Sequence, residues 1–214
     1  MPSVPSMTPV TVVLVPPARL ERWVANFSDR HGPTTLSVEG GALAGTAQDG
    51  STFRAALPLE QQHGGPAEVG ALAAAAVAAV PDDWGVLLVR KGGFAVARLA
   101  GTTVVASKVG QRHVQGRTKA GGQSQQRFAR RRDNQARAAY EAAADHARLL
   151  GDLAGPLIVG GDRGAVEEVL ADARLARLAV VGTRLPVPDP RRAVLEQAVA
   201  DALSVRVEVV NADG

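Results

Sequence analysis

The sequence predicts an α/β protein: a ribonuclease-H-like mixed sheet with covering helices, preceded by a small α+β unit. Three observations carry that expectation. In the second half, helix-like and buried strand-like runs alternate after an opening meander of three strands, the ordering of a ribonuclease-H-like sheet. The first 80 residues hold short strand-like runs separated by Gly-Gly and Asp-Gly turns. The chain of 214 residues is 46% hydrophobic and 21% charged, enough to bury a real core although aromatics are only 3%.

The elements follow in order. "VTVVLV" (10–15) is β-branched and reads as a strand. Prolines then suit a helix start, and Leu20, Trp23, Val24 and Phe27 recur at helical spacing. "TTLSVEGG", "ALAGTAQDG" and "STFRAALPL" are three more strand-like runs, and a helix over about 66–80 stops before Pro81. These residues, 1–80, form the small α+β unit, and they hold no motif that carries chemistry.

Residues 82–214 form the second unit. Its meander covers about 85–90, 94–99 and 102–109, with turns at Lys91-Gly92-Gly93 and Ala100-Gly101-Thr102. A loop over 110–123 is rich in Gly, Gln and Arg, and a long helix runs from about 124 to 150. "PLIVGG" (156–161) is an apolar strand, followed by a helix capped by Asp162. "LAVVG" (178–182) reads as a second buried strand. A helix over 189–203 takes Asp189 as cap and Pro190 in its first turn, and the alternating "SVRVEVV" closes the unit as a strand.

Several function classes drop out on composition. There is no cysteine, so disulfides, Cys-ligated zinc, iron–sulfur clusters and thiol catalysis are excluded. The start, "MPSVPSMTPV", lacks a charged n-region followed by an apolar core, and no uncharged apolar run reaches 18 residues. The expectation is a cytoplasmic monomer without membrane, metal or cofactor.

Charge is distributed unevenly. Residues 108–137 hold nine Lys and Arg against a single acid, Asp133, whereas the remainder carries fifteen basic and twenty acidic residues. A positive patch on an acidic body points to a polyanionic partner at one place. On a helical wheel at about 100° per residue, Phe128, Ala136, Ala139, Tyr140, Ala143, Ala147 and Leu150 share one arc. Arg127, Arg130, Arg131, Asn134 and Arg137 lie opposite, with Arg132 a misfit in the apolar arc. Guanidinium groups suit phosphate, and aromatic interleaving is absent, so this face fits the backbone of structured RNA rather than stacked single strands. Arg112, His113, Arg117 and Lys119 extend the charge into the preceding loop.

The loop tip is Gly121-Gly122-Gln123. Two glycines let the backbone approach another surface closely. Gln123 is no base, but its amide can position a water and its N–H can stabilise developing negative charge. Such a tip can catalyse only on a reactive ester with other groups nearby. Gly-Gly-Gln alone arises by chance in roughly a few per cent of chains this long. The wider string is more specific: Gly121-Gly122-Gln123-Ser124, then Arg127-Phe128-Ala129-Arg130, opening a long helix after three meander strands.

This string resembles the central domain of eukaryotic and archaeal class 1 peptide release factors, over about residues 82–210. The resemblance implies peptidyl-tRNA hydrolysis in the peptidyl transferase centre of the large ribosomal subunit, with peptidyl-tRNA and rRNA as partners. Gln123 would seat the attacking water there, on a tip formed with Gly121 and Gly122. Lys119 and Ala120 stand where the family carries a basic residue and a glycine, and Arg117 and Lys119 supply charge instead. The N-terminal unit lacks the Asn-Ile-Lys-Ser stop-codon signature, and the expectation is a protein without the family's GTPase-recruiting third domain. The architecture is therefore most similar to bacterial Vms-like release factors, which imply codon-independent rescue of stalled large subunits in ribosome quality control.

Alternatives stay open beside that reading. The first meander strand has no carboxylate for two-metal nuclease chemistry, and Asp82 and Asp83 read as a solvated turn after Pro81. Metal-free cleavage of the tRNA acceptor end would be served equally well by phosphate-gripping arginines. A non-catalytic ribosome- or RNA-binding module is the third reading. "VGGDRGA" (159–165) lacks the Gly-Lys-Ser/Thr ending of a phosphate loop and reads as a plain strand-to-helix turn. His31, His63, His113 and His146 have no metal-ligand spacing, and His146 reads as structural.

Overall fold

The computed structural model describes residues 9–111 and 137–212. The chain is an α/β protein that divides into two compact units, Met1–Val80 with Ala200–Gly214, and Pro81–Val199.

The first unit is a five-stranded antiparallel sheet in the order β1-β10-β4-β3-β2. Its strands are β1 (Val10–Val15), β2 (Thr34–Glu39), β3 (Ala42–Ala47), β4 (Thr52–Ala56) and β10 (Val205–Val210). Helices α1 (Leu20–His31) and α2 (Val69–Ala78) follow β1 and β4. The chain enters α1 through a 3₁₀ turn, Pro17–Arg19, and leaves it at Gly32 with φ 93°. β2 and β3 close on the two-residue turn Gly40-Gly41, whose φ values of 53° and 70° explain the glycine pair. Leu20, Val24 and Phe27 of α1 and Leu72 and Ala76 of α2 bury against Leu43, Phe53, Ala55, Val205 and Val207. The Phe53 ring crosses Gly45 closely: a Cβ there would lie 2.2 Å from a ring carbon.

The placement of β10 corrects the expected boundary. The sequence reading closed the 82–214 unit with this strand, but β10 sits between β1 and β4 of the first sheet, with Val15 opposite Val205 and Ala55 opposite Val207. The physical reason is burial. Val205 and Val207 are 0% exposed in the core of the first unit. Each contributes roughly 1.5–3 kcal/mol there. Alternation marks which side chains of a strand are buried, but not which sheet receives them.

The second unit holds the sheet β7-β6-β5-β8-β9. β5 (Trp84–Arg90), β6 (Gly93–Ala100) and β7 (Thr103–Gln111) form the antiparallel meander. β8 (Pro156–Gly161) pairs parallel to β5, and β9 (Ala179–Val180) parallel to β8. β5 is buried along nearly its whole length, as a central strand should be. Helix α3, over 137–147 among the described residues, and α4 (Arg163–Leu170) cover one face of the sheet, around Leu87, Val89, Phe94, Val96, Leu157 and Val159. Opposite-facing Val86, Leu88, Ala95 and Ala97 are also fully buried. Helix α5 (Arg192–Ala202) leads towards β10.

Three local expectations change. β9 is a two-residue edge strand with both residues exposed, because it has only β8 as neighbour. Asp162 precedes α4 but makes no side-chain cap; its carboxylate faces Arg90 Nε at 3.4 Å. α5 begins at Arg192, and Asp189 lies at the Lys91-Gly92 turn, 3.9 Å from Arg90 Nε. Both carboxylates instead face the Arg90 guanidinium.

Asp83 is likewise more than a solvated turn residue. Arg98 Nε and Nη2 donate to its two carboxylate oxygens at 2.7 and 3.0 Å, and the backbone N–H of Ala154 donates to it at 2.9 Å. These bonds hold its carboxyl below the usual range, the Arg98 contact first. Asp82 is exposed, as expected. The Gly161-Asp162 turn is the plain strand-to-helix turn expected of 159–165. Gly161 has φ 99°, and a Cβ would stand 2.1 Å from Val89 O.

Candidate functional site

The candidate site is built around the segment between β7 and α3. β7 runs antiparallel to β6, and β6 antiparallel to β5, so β7 ends where β5 and β8 end. One row across this end of the sheet reads Gly110, Phe94, Val89, Gly161. The last described residues before the candidate segment therefore lie beside the carboxyl ends of the parallel strands, where α/β sheets commonly place function.

Phe94 ties the two flanks of that segment together. A Cβ on Gly110, near the end of β7, would lie 2.3 Å from a carbon of the Phe94 ring. The same ring stacks on His146 of α3, with centroids 5.4 Å apart and an interplanar angle of 23°. So the strand leading into the segment and the helix following it bear on one buried aromatic. His146 has the structural role expected of it. Spacing alone could not pair it with Phe94, more than fifty residues away.

The described part of α3 has the amphipathic division read from the sequence. Ala139, Tyr140, Ala143, Ala147 and Leu150 are buried, and Arg137 is exposed. Burial pushes the Tyr140 phenol up, with Glu168 and Asp162 adding to the shift. Beyond Arg137 the outer face carries Glu141, Asp145 and Arg148, all exposed, so its positive charge does not continue along the helix. Arg174, after α4, reaches Asp145 at 3.1 Å and Asp172 at 2.6 Å. The Arg174 contact holds Asp172 down at about 2, helped by the Arg174 backbone N–H. The other expected site residues, Arg112, His113, Arg117, Lys119, Gly121, Gly122, Gln123, Arg127, Arg130 and Arg131, lie outside the described residues.

Other histidines serve the first unit. His31 Nδ1 meets Asp49 Oδ2 at 2.8 Å, and the buried His63 meets Pro66 O at 3.0 Å through Nε2. Among the described residues no His, Asp and Glu side chains gather as metal ligands, and no helix is long and apolar enough to cross a membrane.

The class is that of a release-factor-like α/β domain. A family model described as the Actinobacteria/chloroflexi VLRF1 release factor, acVLRF1, matches residues 82–208, more than half of the chain, and the chain belongs to that family. Membership implies a function in translation, of the ribosome-rescue release-factor kind, and interaction with the ribosome. A comparison with curated proteins finds no match. The matched range includes most of β10, whose ladder partners, in β1 and β4, lie outside it.

Proposed function

We propose that this protein is a codon-independent peptidyl-tRNA hydrolase that frees nascent chains from stalled large ribosomal subunits. Gly121 and Gly122 let the tip enter the peptidyl transferase centre. Gln123 positions a water against the peptidyl-tRNA ester, and its backbone N–H stabilises the tetrahedral intermediate. Arg112, His113, Arg117, Lys119, Arg127, Arg130, Arg131 and Arg137 hold rRNA and tRNA phosphates around the tip.

The observation that carries this reading is the family match over 82–208, which brackets Gly121-Gly122-Gln123-Ser124 and the arginine run behind it. The strand order β7-β6-β5-β8-β9, antiparallel through the meander and parallel at β8 and β9, supports the ribonuclease-H-like assignment.

The test uses purified large subunits carrying peptidyl-tRNA. Wild-type protein is expected to release the peptide and leave tRNA with an intact 3′ end. Gln123→Ala is expected to slow release by about 10²–10³ while ribosome binding is kept. Unchanged release by Gln123→Ala would overturn the mechanism. A shortened tRNA would replace ester hydrolysis by acceptor-end cleavage.

A further inference from the structure

The family's catalytic segment does not account for a second feature at the same end of the second sheet. Residues 184–192 start at the carboxyl ends of β8 and β5 and finish against the middle of β7. Arg184 donates to Gly161 O, and Leu185 N donates to Val159 O at 2.9 Å, which fixes the start of the run on β8. Val187 O accepts from Arg90 Nη1 at 3.0 Å, which fixes its middle on the end of β5. Asp189 lies at the turn between β5 and β6. Arg192 Nη1 donates to Ser107 Oγ on β7 at 3.2 Å, which fixes its end. Pro186, Pro188 and Pro190 alternate through the run, so its backbone is largely preset before any partner arrives.

The acids at this end are already engaged. Asp162 and Asp189 face Arg90, Glu167 pairs with Arg163 at 2.8 Å, and Glu196 pairs with Arg192 at 2.9 Å. Lys91, Arg184 and Arg191 are exposed and have no carboxylate partner among the described residues. Arg184 and Arg191 on this proline-stiffened strap, with Lys91 on the adjoining β5–β6 turn opposite the end of β7, match a polyanion with little ordering cost.

The geometry points to a second RNA-binding surface, formed by Lys91, Arg184 and Arg191, that grips the phosphate backbone of structured ribosomal RNA at the base of the catalytic segment. It rests on the reading that this protein acts on the large subunit. RNA is favoured over an acidic protein surface because the strap adjoins the departure point of the densest basic run in the sequence, residues 108–137. One backbone then spans both.

The experiment measures affinity of the full chain for purified large subunits, and for a protein-free RNA duplex, over a range of KCl concentrations. Lys91 and Arg191 make no side-chain hydrogen bond among the described residues, so K91E/R191E is the variant that should leave the fold intact. R148E/R177E carries the same charge change at the other end of the sheet, beside the starts of β5 and β8. K91E/R191E is expected to bind both probes at least about tenfold more weakly, with the slope of log affinity against log salt shallower by about 1–2. R148E/R177E is expected to bind as wild type does. Equal weakening in both variants, or none in K91E/R191E, overturns the surface. Weakening on subunits but not on the RNA duplex overturns RNA as the partner and assigns a protein. Peptide release separates this inference from the functional reading. A wild-type protein that releases nothing while K91E/R191E loses binding defeats the hydrolase reading alone. Normal release with unweakened K91E/R191E binding defeats the surface alone.

Discussion

Arg98 clasps Asp83 with two parallel bonds, Nε to Oδ1 at 2.7 Å and Nη2 to Oδ2 at 3.0 Å. Both side chains are only about a quarter exposed, at 25% and 27%, so the pair is better shielded than an ordinary surface bridge. Through the Ala154 N–H it also ties the start of β5 to the loop before β8. Asp83→Asn is expected to cost about 1–3 kcal/mol in urea unfolding.

The same pair sets a pH dependence. The folded carboxyl of Asp83 lies below its unfolded value of about 3.9. Its contribution is therefore complete above about pH 4 and is lost as pH falls through the lowered folded value. Urea midpoints measured from pH 5 downwards should fall more steeply for wild type than for Asp83→Asn. Parallel curves would refute this.

Gly110 is expected to tolerate no side chain. A methyl group there meets the Phe94 ring at 2.3 Å, and that ring is already held between β7 and His146. Gly110→Ala should destabilise the protein by about 1–3 kcal/mol, read as a lower thermal midpoint. Restoring space with Gly110→Ala/Phe94→Leu should recover part of that loss, as a purely conformational cost at Gly110 would not allow.

Asp172 should report on Arg174. In Arg174→Ala its carboxyl is expected to climb from about 2 towards the ordinary value near 3.9, measured by carbon NMR titration. Arg174 and Asp145 are about half and two-thirds exposed, so little change in overall stability is expected.

Residues 1–80 expressed alone are expected not to fold cooperatively. Without β10 the edges of β1 and β4 are left unpaired, and the core loses Val205 and Val207. Calorimetry should show no sharp transition for this fragment. Appending residues 200–212 through a flexible linker should restore one.

Much of this fold is written in local signals. The Gly40-Gly41 turn marks the ends of β2 and β3 because glycine suits the left-handed conformation found at both positions. The apolar arc of α3 predicted the burial of Ala139, Tyr140, Ala143, Ala147 and Leu150 because a helix docks by one face. What escaped was long-range competition. Asp162 and Asp189 look like helix caps until Arg90 takes them, and Asp83 looks solvated until Arg98 arrives. The proline-stiffened strap was visible only as a helix start, since nothing in "RLPVPDPRR" says that it crosses three strands. Of the candidate site itself, Arg137 is where the wheel put it; the tip and the remaining arginines rest on the motif and the family match.

The position of β10 also fixes an order of events during synthesis. Its residues, 205–210, are translated after the entire second unit, yet they occupy an interior place in the first sheet. The amino-terminal unit must therefore wait, with two strand edges open, until the rest of the polypeptide has emerged. Domains often mature from the amino terminus onwards as they leave the ribosome. Here the unit made first is the one that finishes late, and it needs protection from edge-to-edge association in the interval.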